Sequence, residues 1–255
     1  MIMNNGKGQG DFRTLILAAG QGTRMKSPLV KVLHPLQGKP MLGYVVEVAR
    51  KAGSGETLVI VGYQAGAVKE RFAGEGLIFV EQREQLGTGH AVRQAQEQLA
   101  AYDGSLIILC GDVPLLRPAT VRALFEQHGK GKTAVTLLTT ILEDPTGYGR
   151  IIKGRHGEAK RIVEDRDATP AEKKIREINT GIYCVESKFL FSALAQITNH
   201  NAQREYYLTD IVALAHEGGG GADTLVAPDP REVMGINTPE ELQRAELALE
   251  AIAGR

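Results

Sequence analysis

Short apolar runs alternate along the chain with longer stretches in which apolar positions recur every three or four residues. Residues 15–18 are apolar and lead into Gly20, as a strand leads into a turn. Residues 40–52 carry Leu42, Val45, Val46, Val48 and Ala49 at helical spacing, with proline opening the helix and Gly53 closing it. Residues 57–61 read as an aliphatic strand ending at Gly62, 66–72 as a helix and 77–80 as a strand. Composition predicts a helix over 89–101, a continuous apolar strand over 106–110, a helix over 118–128 and a β-branched strand over 133–140. This order predicts an α/β fold with a mostly parallel sheet covered on both faces.

Between about 143 and 185 the texture changes. Short strands over 150–153, 159–164 and 179–185 surround a charged loop between Asp165 and Glu177, and predict a β-rich insertion on the edge of the sheet. Residues 189–195 and 207–217 return to helix, 218–221 form a glycine loop and 224–227 a short strand. Thr238-Pro-Glu-Glu241 forms a capping box with proline at the first helical position. It opens a last helix, about 239–253, with Leu242, Ala245, Leu249 and Ile252 on one stripe. Residues 1–11 are polar and glycine-rich, a flexible lead-in rather than a signal peptide, and 12–255 read as one domain.

Composition narrows the function. Thirty Lys and Arg balance thirty Asp and Glu, which argues against a nucleic-acid partner held by a general basic field. No apolar stretch approaches the length of a membrane span. Cys110 and Cys184 each lie in an apolar run and read as small core residues; with no disulfide framework, the setting is a reducing, cytoplasmic one.

The chemistry concentrates after Leu17, where a doubly wound sheet binds ligands beyond its strand ends. Gly20 and Gly22 let the backbone turn and present N–H groups to an anion, and Thr23 adds a hydroxyl. Arg24, Lys26 and Lys31 add positive charge, so the target is a polyphosphate; for a Gly-x-Gly alone, a turn with solvated charges would be the better reading. The P-loop pattern is absent, and the third glycine of the dinucleotide fingerprint is replaced by Met25.

Leu17-Ala-Ala-Gly20-x-Gly22-Thr23-Arg24-Met25, followed by Lys31-Val-Leu-His34, resembles the opening of the sugar-1-phosphate nucleotidyltransferases. Within that superfamily the chain looks most like the uridylyltransferase domain of the bifunctional enzyme that makes UDP-N-acetylglucosamine. The resemblance continues through Gln85-Leu-Gly-Thr-Gly-His-Ala91, Gly111-Asp-Val-Pro114, Asp144-Pro-Thr-Gly-Tyr-Gly-Arg150 and Ile162-Val-Glu164. It runs on through Glu177-Ile-Asn-Thr-Gly181, Asn201-Ala-Gln-x-Glu-Tyr-Tyr-Leu-Thr-Asp210 and Gly235-Ile-Asn237.

The resemblance implies a Rossmann-like fold of the nucleotide-diphospho-sugar transferase type. It implies Mg²⁺-dependent transfer of a uridylyl group from UTP to N-acetylglucosamine-1-phosphate, releasing pyrophosphate. By that likeness Leu17, Ala18, Ala19, Gly20, Gly22, Thr23, Gln82, Gly87 and Thr88 bind the nucleotide, and Arg24, Lys31 and Asp112 are catalytic. Asp112 and Asn237 would hold the metal, hard oxygens that suit Mg²⁺ shared with phosphates; a turn role competes at both, more strongly at Asn237. Gly149, Glu164 and Asn179 match the sugar pocket, and Tyr207 and Thr209 second-line contacts or helix packing. His34 and His90 read as structural.

Two departures stand out. Serine, proline, leucine and valine at 27–30 move the family's proline away from Lys31 and lose its acidic neighbour, and Cys110 stands where an aromatic residue is common. The bifunctional enzyme also continues into a β-helix that transfers acetyl groups and trimerises. This chain stops soon after the helix that would lead there, so acetyl transfer and the trimer contact are expected to be absent, with the oligomeric state open. The competing expectations are another sugar phosphate or pyrimidine nucleotide, or a non-catalytic nucleotide-sugar sensor.

Overall fold

Apolar runs without polar alternation must be covered on both faces, and this constraint organises the computed structural model of the protein. It describes residues 11–253, with side chains through residue 250; the lead-in expected over 1–10 and the side chain of Ile252 lie outside the described residues. The first half runs β1 (Phe12–Ala18), β2 (Pro35–Leu36), β3 (Lys39–Pro40), α1 (Met41–Lys51), β4 (Ser54–Val61), α2 (Ala65–Arg71), β5 (Ile78–Glu81), α3 (Thr88–Arg93), β6 (Ser105–Cys110) and α4 (Pro118–Gly131). The second half runs β7 (Val135–Ile141), β8 (Arg150–Lys153), β9 (Ala159–Val163), β10 (Glu177–Glu186), α5 (Ser187–Leu194), α6 (Asp210–Glu217), β11 (Ala222–Val226) and α7 (Pro239–Ala253).

The main sheet has the order β11-β7-β10-β6-β1-β4-β5. Pairing is parallel from β6 through β1 and β4 to β5, with Leu17 opposite both Ile60 and Cys110. Successive β1 residues face opposite layers, as a period of two requires. Leu15 joins Leu58, Ile60 and Ile108 under α3, α5 and α6, while Phe12 and Ile16 join Val59, Ile107 and Leu109 under α1, α2 and α4. A third, smaller cluster packs Leu36, Met41, Ile236 and Ala245 with Leu242 and Leu249 of the α7 stripe.

The α/β expectation holds, and the differences have local causes. Residues 179–185 belong to β10, which lies inside the sheet between β6 and β7 and runs antiparallel to both, not in an edge insertion. Its run from Ile182 to Val185 is fully buried on both faces, as a central strand demands. Only β8 and β9 form the overhanging hairpin, attached through the pairing of Arg150 with Ile178. The helix expected over 89–101 is α-helical only to Arg93; beyond it, the N–H groups of Gln94, Ala95 and Gln96 bond three residues back. Ala95 and Leu99 stay buried, so the apolar spacing is met by tighter turns. Residues 207–209 precede α6 rather than begin it, because the Leu208 N–H is taken by Thr88 Oγ1 at 3.1 Å.

The capping box forms as expected. Glu241 N donates to Thr238 Oγ1 and Thr238 N to Glu241 Oε2, both at 3.2 Å. Asn237 N donates to the same carboxylate at 2.6 Å. Thr238→Ala should therefore lower stability by about 1 kcal/mol, the usual worth of such a cap, read as a reduced midpoint in urea unfolding.

Candidate active site

Strands β4, β1 and β6 end at one edge of the sheet, and the loops beyond them carry the expected residues. Gly111 N continues the β6–β1 ladder to Leu17 O at 2.9 Å, so the next residue, Asp112, leaves the sheet beside the first loop. In that loop Gly22 has φ +66°, and a Cβ there would lie 2.4 Å from the Cβ of Lys31. Glycine is needed for the lysine stem to pass. The altered segment 27–30 is secured by Gln64, whose Oε1 accepts from Val30 N at 3.2 Å and whose Nε2 donates to Pro28 O at 2.9 Å. Buried Val30 and Val32 then anchor the backbone on either side of Lys31.

Lys31 Nζ donates to Asp112 Oδ2 and, at 3.0 Å, to Asn237 Oδ1. Arg24 Nη2 donates to the same amide oxygen at 2.9 Å. Ile236 N donates to Asp112 O at 2.9 Å, which brings the chain before α7 alongside the end of β6. Asn237 Nδ2 donates to Gly235 O at 3.2 Å, leaving Oδ1 for the cations. A carboxylate oxygen and an amide oxygen thus converge on one cationic group, a donor pair whose chemistry fits Mg²⁺ completed by phosphate and water. No set of three His, Cys, Asp or Glu side chains among the described residues forms a metal cluster.

Two clefts meet at Cys110 and Asp112. The first, of about 320 Å³, is lined by Leu17, Ala18, Ala19, Gly20 and Lys31 on one side and by Gln82, Gly87 and Thr88 on the other. Gln82 is buried; its Nε2 donates to Gly87 O at 3.0 Å and lies 3.1 Å from His90 Nδ1. These contacts fix the amide orientation and leave Oε1 without a partner among the described residues. Burial, aided by Arg93, lowers the His90 pKa, and Gln94 Nε2 lies 3.2 Å from the other ring nitrogen. His34 Nε2 reaches Leu29 O at 3.2 Å, also a supporting role. Gly87 has φ +108°, and a Cβ there would lie 2.7 Å from Tyr206 O.

The second cleft, of about 350 Å³, is lined by Arg24, Asp112, Gly149, Glu164, Asn179 and Asn237. A Cβ on Gly149 would lie 2.8 Å from Ile162 Cγ2, so the backbone itself forms that wall. Asn179 N donates to Gly149 O at 2.9 Å, its Nδ2 to Tyr183 Oη at 2.8 Å, and its Oδ1 accepts from Gly181 N at 3.1 Å. Burial raises the Glu164 carboxyl above the ordinary range, opposed by the Thr209 hydroxyl donating to Oε1 at 3.1 Å.

Four expected residues stand outside both clefts. Gly22 lies against the Lys31 stem, and the exposed Thr23 opens the turn of Thr23–Met25. Thr209 is buried and acts on Glu164, while Tyr207 donates to Asp167 Oδ2 at 3.2 Å and accepts from Gln203 at 3.0 Å. Conversely, Gln85 and Glu205 line the first cleft, and Tyr148 and Gly181 the second. All four fall inside the motif segments but carry no chemistry that spacing alone singles out. Cys110 donates to Gly181 O at 3.5 Å, and burial, then the nearby Asp112 charge, pushes its thiol up to about 12. It stays protonated, a small wall shared by both clefts. Lys26 is exposed and lines neither cleft.

The family profile of the MobA-like NTP transferase domain matches residues 14–208. The chain belongs to the MobA-like NTP transferases. This NTP transferase is 54% identical over 237 residues to the "Bifunctional protein GlmU" of Geobacter metallireducens, across 92% of this chain and 50% of that protein. It is 46% identical over 240 residues to the protein of the same name from Desulfotalea psychrophila, across 94% of this chain and 71% of that one. The chain thus spans about half the length of most curated relatives it matches. Its fold is that of a solved UDP-glucose pyrophosphorylase complexed with UDP-glucose, with a TM-score of 0.76 at 18% identity over 94% of this chain and 98% of that one. Among the described residues, no helix of this transferase is long and apolar enough to cross a membrane.

The state of Glu164 yields a pH-dependent expectation. A carboxyl raised in the folded state binds its proton more tightly there than in the unfolded chain, so its ionisation costs stability at neutral pH and less as pH falls. Glu164→Gln should raise the urea midpoint at pH 8, with the gain shrinking toward the acid range. A lower midpoint at pH 8 would contradict this account.

Proposed function

We propose that the protein transfers a uridylyl group from UTP to N-acetylglucosamine-1-phosphate, giving UDP-N-acetylglucosamine and pyrophosphate. The observation that carries this reading is the meeting of the two clefts at Asp112, with Lys31 and Arg24 at the junction. One cleft suits a nucleotide and the other a polyhydroxylated acceptor, so two phosphates are brought together where the cations stand. The identity shared with the GlmU proteins supports nucleotidyl transfer to a sugar-1-phosphate, and the choice of UTP and the acetylated sugar follows the motif resemblance.

In the nucleotide cleft, the free Oε1 of Gln82 accepts from the N3–H of uracil. Cytosine carries an acceptor at that ring nitrogen, so CTP would leave two acceptors facing each other, a costly mismatch in a site built for hydrogen bonds. The triphosphate follows the backbone of the first loop toward Lys31. In the acceptor cleft, Glu164 accepts from sugar hydroxyls, and the backbone at Gly149 allows close approach.

The sugar phosphate is already an anionic nucleophile and attacks the α-phosphorus in line; one P–O bond forms as the bond to pyrophosphate breaks. No proton has to be removed, so catalysis is positioning and neutralisation of charge. Lys31 and Arg24 exchange their oxygen partners for phosphate oxygens. Asp112 and Asn237 would hold Mg²⁺, which when bound supplies further charge neutralisation on the phosphates. Both cysteines are free thiols, in keeping with a cytoplasmic setting.

The test is pyrophosphate release with UTP, Mg²⁺ and N-acetylglucosamine-1-phosphate, run beside CTP and glucose-1-phosphate. Release that requires UTP and the acetylated sugar is expected; release only with another pair would reassign the substrate, and UTP binding without release would make the protein a sensor. Asp112→Ala should lower turnover by about 10²–10³, and near-normal turnover would remove Asp112 from the reaction. Lys31→Met frees Asp112 Oδ2 of its cation and leaves only Arg24 on Asn237 Oδ1, so in the absence of nucleotide it should tighten Mn²⁺ binding by about tenfold or more. Unchanged Mn²⁺ affinity, read by electron paramagnetic resonance, would remove the Asp112–Asn237 pair as the metal's holders.

A further inference from the structure

The β8–β9 hairpin carries a buried charge that its own fold does not require. Arg150 is 2% exposed and heads the largest fully buried side chains among the described residues. Taking a guanidinium out of water is costly, and an apolar side chain of similar volume often packs as stably. Its Nε is buried without a partner among the described residues, so the group does not complete a saturated polar network.

What the guanidinium does is join two walls. Nη1 donates to Tyr148 O, and Nη2 donates to Asp165 Oδ1 at 3.0 Å. Tyr148 is the residue before Gly149, and Asp165 the residue after Glu164. Across the sheet Arg150 pairs with Ile178, the residue before Asn179, whose N–H donates to Gly149 O at 2.9 Å. Each of the three groups assigned to the sugar is therefore one peptide unit from a point tied to Arg150. A lysine could satisfy one of these tethers but not the fork of two.

We propose that Arg150 is a positioning residue that sets the spacing of Gly149, Glu164 and Asn179 and so governs recognition of the sugar phosphate, leaving the nucleotide cleft untouched. This rests on the acceptor cleft proposed above. Displacements of about 1 Å in such walls weaken catalysis by orders of magnitude.

The experiment compares wild type with Arg150→Met, Arg150→Lys and Asp165→Asn. Steady-state kinetics give KM for N-acetylglucosamine-1-phosphate, calorimetry the UTP affinity, and thermal unfolding the fold. A folded Arg150→Met should raise the sugar-phosphate KM by about tenfold or more with UTP affinity within about twofold, and Arg150→Lys should restore part of the loss. Should Arg150→Met not fold, Asp165→Asn decides, since Asp165 is 24% exposed and asparagine there can hydrate; a severalfold rise in the same KM is expected. A folded variant whose sugar-phosphate KM is unchanged, or shifts together with UTP affinity, overturns the assignment of Arg150 alone. A wild type that turns over no sugar phosphate overturns the proposed function, and this inference with it.

Discussion

One ammonium group joins three distant parts of the chain. Lys31 comes from the loop after β1, Asp112 from the end of β6, and Asn237 from the approach to α7. With side-chain exposures of 15% and 19%, the Lys31–Asp112 pair is shielded enough for its attraction to matter. Much of the surrounding structure serves to make that meeting possible. Gly22 clears the lysine stem, Gln64 holds the preceding segment, and Glu241 ties Asn237 to the start of α7. The same convergence places positive charge where the two clefts adjoin.

Much of this was legible in the sequence because the relevant signals are local. Strand β1 and its glycine loop, proline before α1 and Thr238 with Glu241 each act within a few residues. The loop residues 17–20, Gln82, Gly87 and Thr88, singled out by the resemblance, all line the first cleft. Place in the sheet is a non-local property, and there sequence reading failed. Chain order grouped β10 with β8 and β9, although its burial places it between β6 and β7. Tyr207 and Thr209 were similarly ambiguous, since only the packed structure tells a residue that lines a wall from one that braces it. Gln64, which secures the altered segment 27–30, lies outside every motif.

Small differences in environment assign different work to similar groups. Asp112 faces cations at a partly open junction, whereas burial, and then further carboxylates, raise the Glu164 carboxyl against the pull of the Thr209 hydroxyl. Cys110, between the clefts, has a thiol that burial keeps protonated, so it contributes shape rather than a nucleophile. These contrasts follow from depth and neighbours, not from residue type.

The reversed direction of β10 has a consequence for how such a protein changes over time. Parallel strands enter the sheet at the far side and finish at the ligand edge, but a strand running the other way starts there. The hairpin that precedes β10 can therefore overhang the edge without altering the order in which β1, β4 and β6 are threaded. The hairpin over the second cleft becomes an insertable module, free to lengthen, shorten or change composition while the strands behind the first cleft stay in register. A lineage built on this plan can remodel one cleft without rebuilding the other.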